Sequence, residues 1–124
     1  MLSKALEDQK IDFSFIDGQR VTSIEVRDVA YSVFSKTNKK IVDSLESQGA
    51  NAKSVTSDVF ECVMDNADLG YVGSIQSVNH QLINEILESD SIPVIAPIGF
   101  QDNEILNINA DIATVELVKA INPY

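Results

Sequence analysis

The sequence holds one cysteine, Cys62, one histidine, His80, and no tryptophan. A lone cysteine excludes an internal disulfide framework and a cysteine-based zinc cage. With one histidine, any His-anchored metal site or Ser-His-Asp catalysis would rest entirely on His80. Aromatic residues make up 6% of the chain, thin for a surface that binds by stacking. Cations are scarce as well: 9 Lys and Arg stand against 19 Asp and Glu, giving a net charge of −10. A field of that sign repels phosphate backbones and anionic lipid, so neither nucleic acid nor a membrane is an expected partner. The longest apolar run, Ile92 to Phe100, is broken by Pro93 and Pro97 and falls far short of the ~20 residues of a membrane span. The first eight residues are charged from Lys4 onward and lack the apolar core of a signal peptide. The expected location is cytoplasmic, or mitochondrial if the source is a eukaryote.

What is present suits one folded domain over residues 1–124, since domains mostly run ~100–150 residues. Hydrophobic residues at 44% and charged residues at 23% are near globular averages. No repeat, low-complexity tract or Pro/Gly/Ser-rich linker divides the chain.

Leu2, Ala5 and Leu6 form a short helical stripe. Phe13 and Phe15 alternate with Asp12 and Ser14 in a strand-like segment that ends in an Asp17-Gly18 turn. The clearest helix follows, capped by Thr22 or Ser23, with Val26, Val29, Ala30, Val33 and Phe34 on one face. Thr37-Asn38 reads as a break or bend in it, with Lys36, Lys39 and Lys40 clustered there, and Gly49 as its stop. Short β-like segments cover 54–56, 59–63 and 71–75. Asn79 caps a helix carrying Leu82, Ile83, Ile86 and Leu87. The segment 92–98 reads as one buried strand, apolar on both faces. A turn at Asp102-Asn103, a strand over 105–108 and a helix over 109–121 complete the pattern. Helices alternating with apolar strands predict an α/β fold, a three-layer α-β-α sandwich with a mostly parallel sheet.

Two places carry candidate chemistry. Asn107 and Asn109 lie at the carboxyl end of a strand, where open α/β sheets place ligands, and Asp111 sits in the first turn of the following helix. On spacing alone, Asn109 also suits a helix cap, and Asp111 complements the helix dipole. Arg20 follows the Gly18 turn and is one of only two arginines. Its guanidinium can hold a carboxylate with two parallel hydrogen bonds, or form a surface salt bridge with a nearby acid.

The stretches Phe15-Ile16-Asp17-Gly18-Gln19-Arg20-Val21-Thr22, Thr56-Ser57-Asp58-Val59-Phe60 and Asn107-Ile108-Asn109-Ala110-Asp111, in this order and spacing, resemble the acetylglutamate kinase family of the amino acid kinase fold. The run Leu69 to Val78 and Ile92-Pro93-Val94-Ile95-Ala96-Pro97 add to the likeness. The Thr56 to Phe60 and Ser44 to Lys53 stretches look like the fungal, bifunctional synthase/kinase branch. The resemblance implies that Arg20 grips a carboxylate of N-acetyl-L-glutamate, with Asn107 and Asn109 beside it as substrate-binding residues. It implies that Asp111 is catalytic, organising lysines around the transferring phosphoryl group. The reaction would move the γ-phosphoryl of ATP, with magnesium, to the side-chain carboxylate of N-acetylglutamate in arginine biosynthesis. Family members are longer, and this chain matches their middle. A truncated domain, inactive alone, is therefore expected, as a homodimer or with a partner chain. The alternative is a non-catalytic, pseudokinase-like module for metabolite binding or dimerisation. No cofactor and no metal is expected within the chain itself, whose five glycines are scattered singly. Asp58 and Val115 stand where the family has glycine.

Overall fold

Two apolar clusters organise the chain, and the computed structural model describes residues 1–121 of it. The first cluster joins helix α1 (Leu2–Asp8) to the start of helix α2 (Ile24–Ser47) through Leu2, Leu6, Val26, Val29 and Ala30. Between these helices lies a small hairpin, β1 (Ser14–Ile16) and β2 (Gln19–Val21).

The second cluster lies beneath the remaining strands. These are β3 (Ala52–Val55), β4 (Phe60–Val63), β5 (Ser74–Val78), β6 (Ile92–Ile95), β7 (Ile98–Gln101) and β8 (Glu104–Asn107). Helices α3 (His80–Glu88) and α4 (Ala110–Ile121) add Ile83, Ile86 and Ala113 to Val55, Phe60, Cys62 and Leu106. Leu106 belongs to this cluster, whereas its neighbour Ile105 lies beside Ala30, Tyr31 and Phe34 of α2. Successive side chains of a strand point to opposite faces, so helices cover both sides. The α/β class predicted from the sequence is what the chain adopts. The sheets are mixed: β3 pairs with β6 and β4 with β7 in parallel, while β4–β5 and β7–β8 are antiparallel. The tight Asp102-Asn103 turn enforces the last of these, because a two-residue connection cannot return a strand in parallel.

Four local expectations are corrected. Helix α2 does not break at Asn38 but continues to Ser47. Asn38 is buried, its amide donating to the Val94 carbonyl (2.8 Å) and its Oδ1 accepting from the Ser54 hydroxyl, so it ties α2 to β3 and β6. The lysines around it are simply exposed helix positions. The segment 92–98 is two strands, not one, broken at Ala96-Pro97, where proline supplies no N–H and restricts the residue before it. β6 is only partly covered, Ile92 being 46% exposed, while Ile98 is buried. The strand expected at 71–75 starts at Ser74, because the residues just before it are engaged elsewhere. The residues after the Asp17-Gly18 turn form a strand of their own, β2, where the sequence suggested only the turn. Elsewhere the caps fall as predicted, with Ser23 accepting from the Val26 N–H and Asn79 from the Leu82 N–H.

Cys62 sits where β4 passes under Gly73 and Gly99; a Cβ on Gly99 would fall 2.5 Å from its sulfur. Burial pushes the thiol up to about 11, against the opposing backbone hydrogen bond at Phe100. It is a packing residue. Asp58 adopts φ +68, the left-handed region that suits glycine and that aspartate tolerates better than most residues. Val115 is 52% exposed, so its side chain blocks nothing among the described residues.

Candidate functional site

The Asp17-Gly18 turn has φ of 50° and 80°, the doubly positive pair that closes a two-residue hairpin with the right twist. It sets the register Phe15 opposite Arg20. Directly opposed residues share a face, and so does Phe13, two residues before Phe15. The result is a guanidinium between two rings, 4.8 Å from the Phe13 centroid and 4.6 Å from that of Phe15. The rings themselves meet edge to face at 6.2 Å.

Arg20 Nη2 donates to the Ser3 hydroxyl at 3.0 Å, while Nη1 is buried without a hydrogen-bond partner. Among the described residues no carboxylate pairs with it, and burial lowers its pKa. Arginine keeps its proton regardless. A buried donor left unmade costs about 1–3 kcal/mol.

The hairpin is held to the main sheet by an irregular segment, 69–73. Thr22 N–H donates to Leu69 O and Tyr71 N–H donates to Thr22 O, both at 2.8 Å. Asn107 N–H donates to Tyr71 O, and Gly73 N–H to Asn107 O, each at 2.9 Å. Gly70 is obligatory in this arrangement: its φ is +72°, and a Cβ would land on the Thr22 carbonyl. The side chains close the circuit. Thr22, fully buried, donates its hydroxyl hydrogen to the Arg20 carbonyl (2.9 Å) and accepts from Asn107 Nδ2 (3.2 Å). Asn107 thereby commits Nδ2 to Thr22 and leaves Oδ1 as its side-chain acceptor.

Two connected hollows open beside this circuit. One, of about 200 Å³, is lined by Phe15, Gln19, Arg20, Asn107 and Asn109 among others. The other, of about 390 Å³, shares Gln19, Val72, Ile108 and Asn109 and adds Asp65, Asn66, Ser74 and Glu116. Three of the four predicted site residues thus meet at one cleft. Asn109 also caps α4, its Oδ1 accepting from the N–H groups of Asp111 (2.9 Å) and Ile112 (3.1 Å), which is the cap its spacing suggested. Only its Nδ2 remains to donate. Asp111 is exposed in the first turn of α4 and lines neither hollow. The nearest lysine along that helix, Lys119, pairs with Glu116 at 3.1 Å. His80 is exposed at the start of α3, away from the cleft.

Sequence reasoning missed Gln19, Phe13 and Thr22 as parts of the site. The strand alternation of Phe13 and Phe15 was a usable signal, since the turn that follows fixes which residue faces them. Arg27 was missed too. Its guanidinium, whose side chain is 14% exposed, bridges Asp28 (3.0 Å) and Glu104 (2.5 Å) and lies 4.8 Å from the Tyr71 ring. Burial lowers its pKa, but the two carboxylates outweigh that and leave it raised. Among the described residues, no group of His, Cys, Asp or Glu could hold a metal ion. None of the described helices is long and apolar enough to cross a membrane.

The sequence model of the amino acid kinase family matches residues 2–123. Acetylglutamate kinase of Xylella fastidiosa is 42% identical over 111 residues, covering 88% of this chain and 26% of that protein. The mitochondrial bifunctional protein argC of Dictyostelium discoideum is 37% identical over 111 residues, covering 88% of this chain and 13% of the other. The crystal structure of smu.665 from Streptococcus mutans superposes with a TM-score of 0.90 at 26% identity, covering 98% of this chain and 52% of that one. The chain therefore spans about a quarter or less of these two curated relatives.

Proposed function

Because the chain belongs to the amino acid kinase family, we propose that it is an acetylglutamate kinase-like domain whose cleft binds N-acetyl-L-glutamate. One observation carries this reading: in an acidic protein, Arg20 lines a cleft, lies against two rings and has no carboxylate partner among the described residues. Arg20 takes a carboxylate of the ligand, and the rings fix the guanidinium so that little side-chain entropy is lost on binding. Asn107 Oδ1 accepts from the acylated amide N–H, and Asn109 Nδ2 donates to an oxygen of the same ligand. The relatives named acetylglutamate kinase support the ligand class.

The residues present do not fit ATP and magnesium. Phosphoryl transfer needs cations and backbone donors around the phosphates. Among the described residues Arg20 is the one cation lining the two hollows, and the larger hollow carries the carboxylate of Asp65 and that of Glu116, the latter already paired with Lys119. Asp111, catalytic by resemblance, has no lysine to organise among the described residues. What these residues fit is the acceptor, and the isolated chain is inactive in this reading. The same acidic hollow favours a second reading, a non-catalytic module that binds the metabolite and no nucleotide.

Calorimetry with the 124-residue chain tests the proposal. Weak N-acetyl-L-glutamate binding is expected, lowered about 100-fold by Arg20→Ala, the order of a charge-assisted bidentate contact. ATP should show no heat of binding and no transfer of its γ-phosphoryl. An unchanged affinity in Arg20→Ala would defeat the assignment of the cleft, and tight ATP binding would defeat the inactive reading.

A further inference from the structure

We infer that Arg27 is a positioning residue for the cleft: through Tyr71 and Glu104 it fixes the distance between Arg20 and Asn107. The inference rests on the acceptor-site reading above, though its geometry stands separately.

No hydrogen bond or ion pair of the Arg27 side chain reaches a residue of the cleft among the described residues. Its ring contact is to Tyr71, whose N–H donates to Thr22 O and whose carbonyl accepts from the Asn107 N–H. Tyr71 is thus the backbone rung between the strand that carries Arg20 and the strand that carries Asn107. Arg27 Nη1 meanwhile holds Glu104, the first residue of β8, the strand that ends at Asn107. One guanidinium on α2 therefore grips both the rung and the strand. Planarity makes this possible: the face stacks on a ring while the edge donates to a carboxylate. A lysine ammonium does one or the other. Segment 69–73 has no regular ladder of its own, with one isolated bridge from Gly70 to Thr22 and another from Val72 to Asn107 of β8. Such irregular segments open at lower free energy than core strands, so an external clamp has most effect there. The geometry also needs tolerances of this order, since a displacement of about 1 Å between positioning groups is enough to cost a large factor in binding or rate.

The test uses the intact chain with Arg27→Lys and Arg27→Gln, read by amide hydrogen exchange, thermal unfolding and N-acetyl-L-glutamate calorimetry. Exchange should accelerate at least tenfold at the Thr22, Tyr71 and Asn107 amides. It should stay unchanged at Ala96, whose N–H donates to Val55 in the separate β3–β6 pair. Affinity should fall at least fivefold in both variants at a temperature where both are folded, with lysine restoring the melting temperature but not the affinity. Uniform acceleration across all amides, or wild-type affinity in Arg27→Gln, overturns the inference. If Arg27→Gln does not fold, Glu104→Gln removes one arm of the clamp and is measured in the same way, with the same outcomes. If the wild-type chain binds no N-acetyl-L-glutamate, the functional reading falls, and the exchange pattern alone decides for or against the clamp.

Discussion

The chain's two arginines, Arg20 and Arg27, stand seven residues apart and meet opposite fates. Both lie against aromatic rings, and both are substantially buried. Arg27 has two carboxylates and a raised pKa; Arg20 has a serine hydroxyl, an unpartnered Nη1 and a lowered pKa. In a chain with 19 acidic residues, a guanidinium kept from all of the described ones is not short of candidates. The fold excludes them. β2 aims Arg20 at α1 and the cleft, where Ser3, Phe13 and Phe15 surround it, while α2 aims Arg27 at the β7–β8 turn, where Glu104 waits. Satisfied charge marks structure and unsatisfied charge marks a place for a ligand.

The most direct way to break this contrast is to give Arg20 an internal partner. Ser3→Asp places a carboxylate where the hydroxyl now accepts from Nη2 at 3.0 Å. Arg20 would then resemble Arg27, neutralised before any ligand arrives. N-acetyl-L-glutamate affinity should drop about 30-fold or more, roughly 2 kcal/mol, because the ligand must displace a carboxylate already holding the guanidinium. The melting temperature should hold or rise. Calorimetry and thermal unfolding on the same sample separate the two effects, and a variant that binds like wild type would show that Arg20's vacancy is irrelevant to the site.

Comparable in size is the effect on the segment that both arginines share. Gly70→Ala puts a Cβ onto the Thr22 carbonyl at a φ of +72°. The strain and the clash together should cost about 2–3 kcal/mol of stability, measured by urea unfolding. The rung between Thr22 and Asn107 should loosen first. A loss confined to a few tenths of a kcal/mol would mean that the segment yields easily and that neither arginine depends on it.

Much of this was legible in the sequence and some of it was not, for physical reasons. The Asp17-Gly18 turn, the Ser23 and Asn79 caps and the start of the last helix are local, and local chemistry is written in neighbouring residues. Arg20, Asn107 and Asn109 were singled out from turn and strand-end positions, where open α/β sheets place ligands, and the fold brings the three to one cleft. The break read at Asn38 failed because a polar residue in mid-helix has two meanings, a break or a buried tie. Only the strands it reaches, at Ser54 and Val94, decide between them. The division of 92–98 into two strands depended on separate partners, β3 and β4, that periodicity does not reveal. Arg27 went unnoticed for the same reason, its decisive contacts being 44 and 77 residues away at Tyr71 and Glu104.

That separation sets the smallest prediction. Arg27 touches one carboxylate next door and one far along the chain, and proximity in sequence is no guide to their weight. Asp28 is 66% exposed on the surface of α2, and an ion pair in water gains little once side-chain entropy is counted. Asp28→Asn should therefore change stability by less than about 0.5 kcal/mol in urea unfolding and leave ligand affinity unaltered. Glu104 is also solvent-exposed, so its ion pair alone is weak as well, but it joins α2 to β8, and the neighbouring pair joins α2 only to itself. If Asp28→Asn proved as damaging as removal of the guanidinium, Arg27 would be serving its own helix. The contrast between the two arginines would then reduce to one of local charge. A near-silent Asp28→Asn leaves the long-range contacts as what distinguishes a clamp from a surface pair.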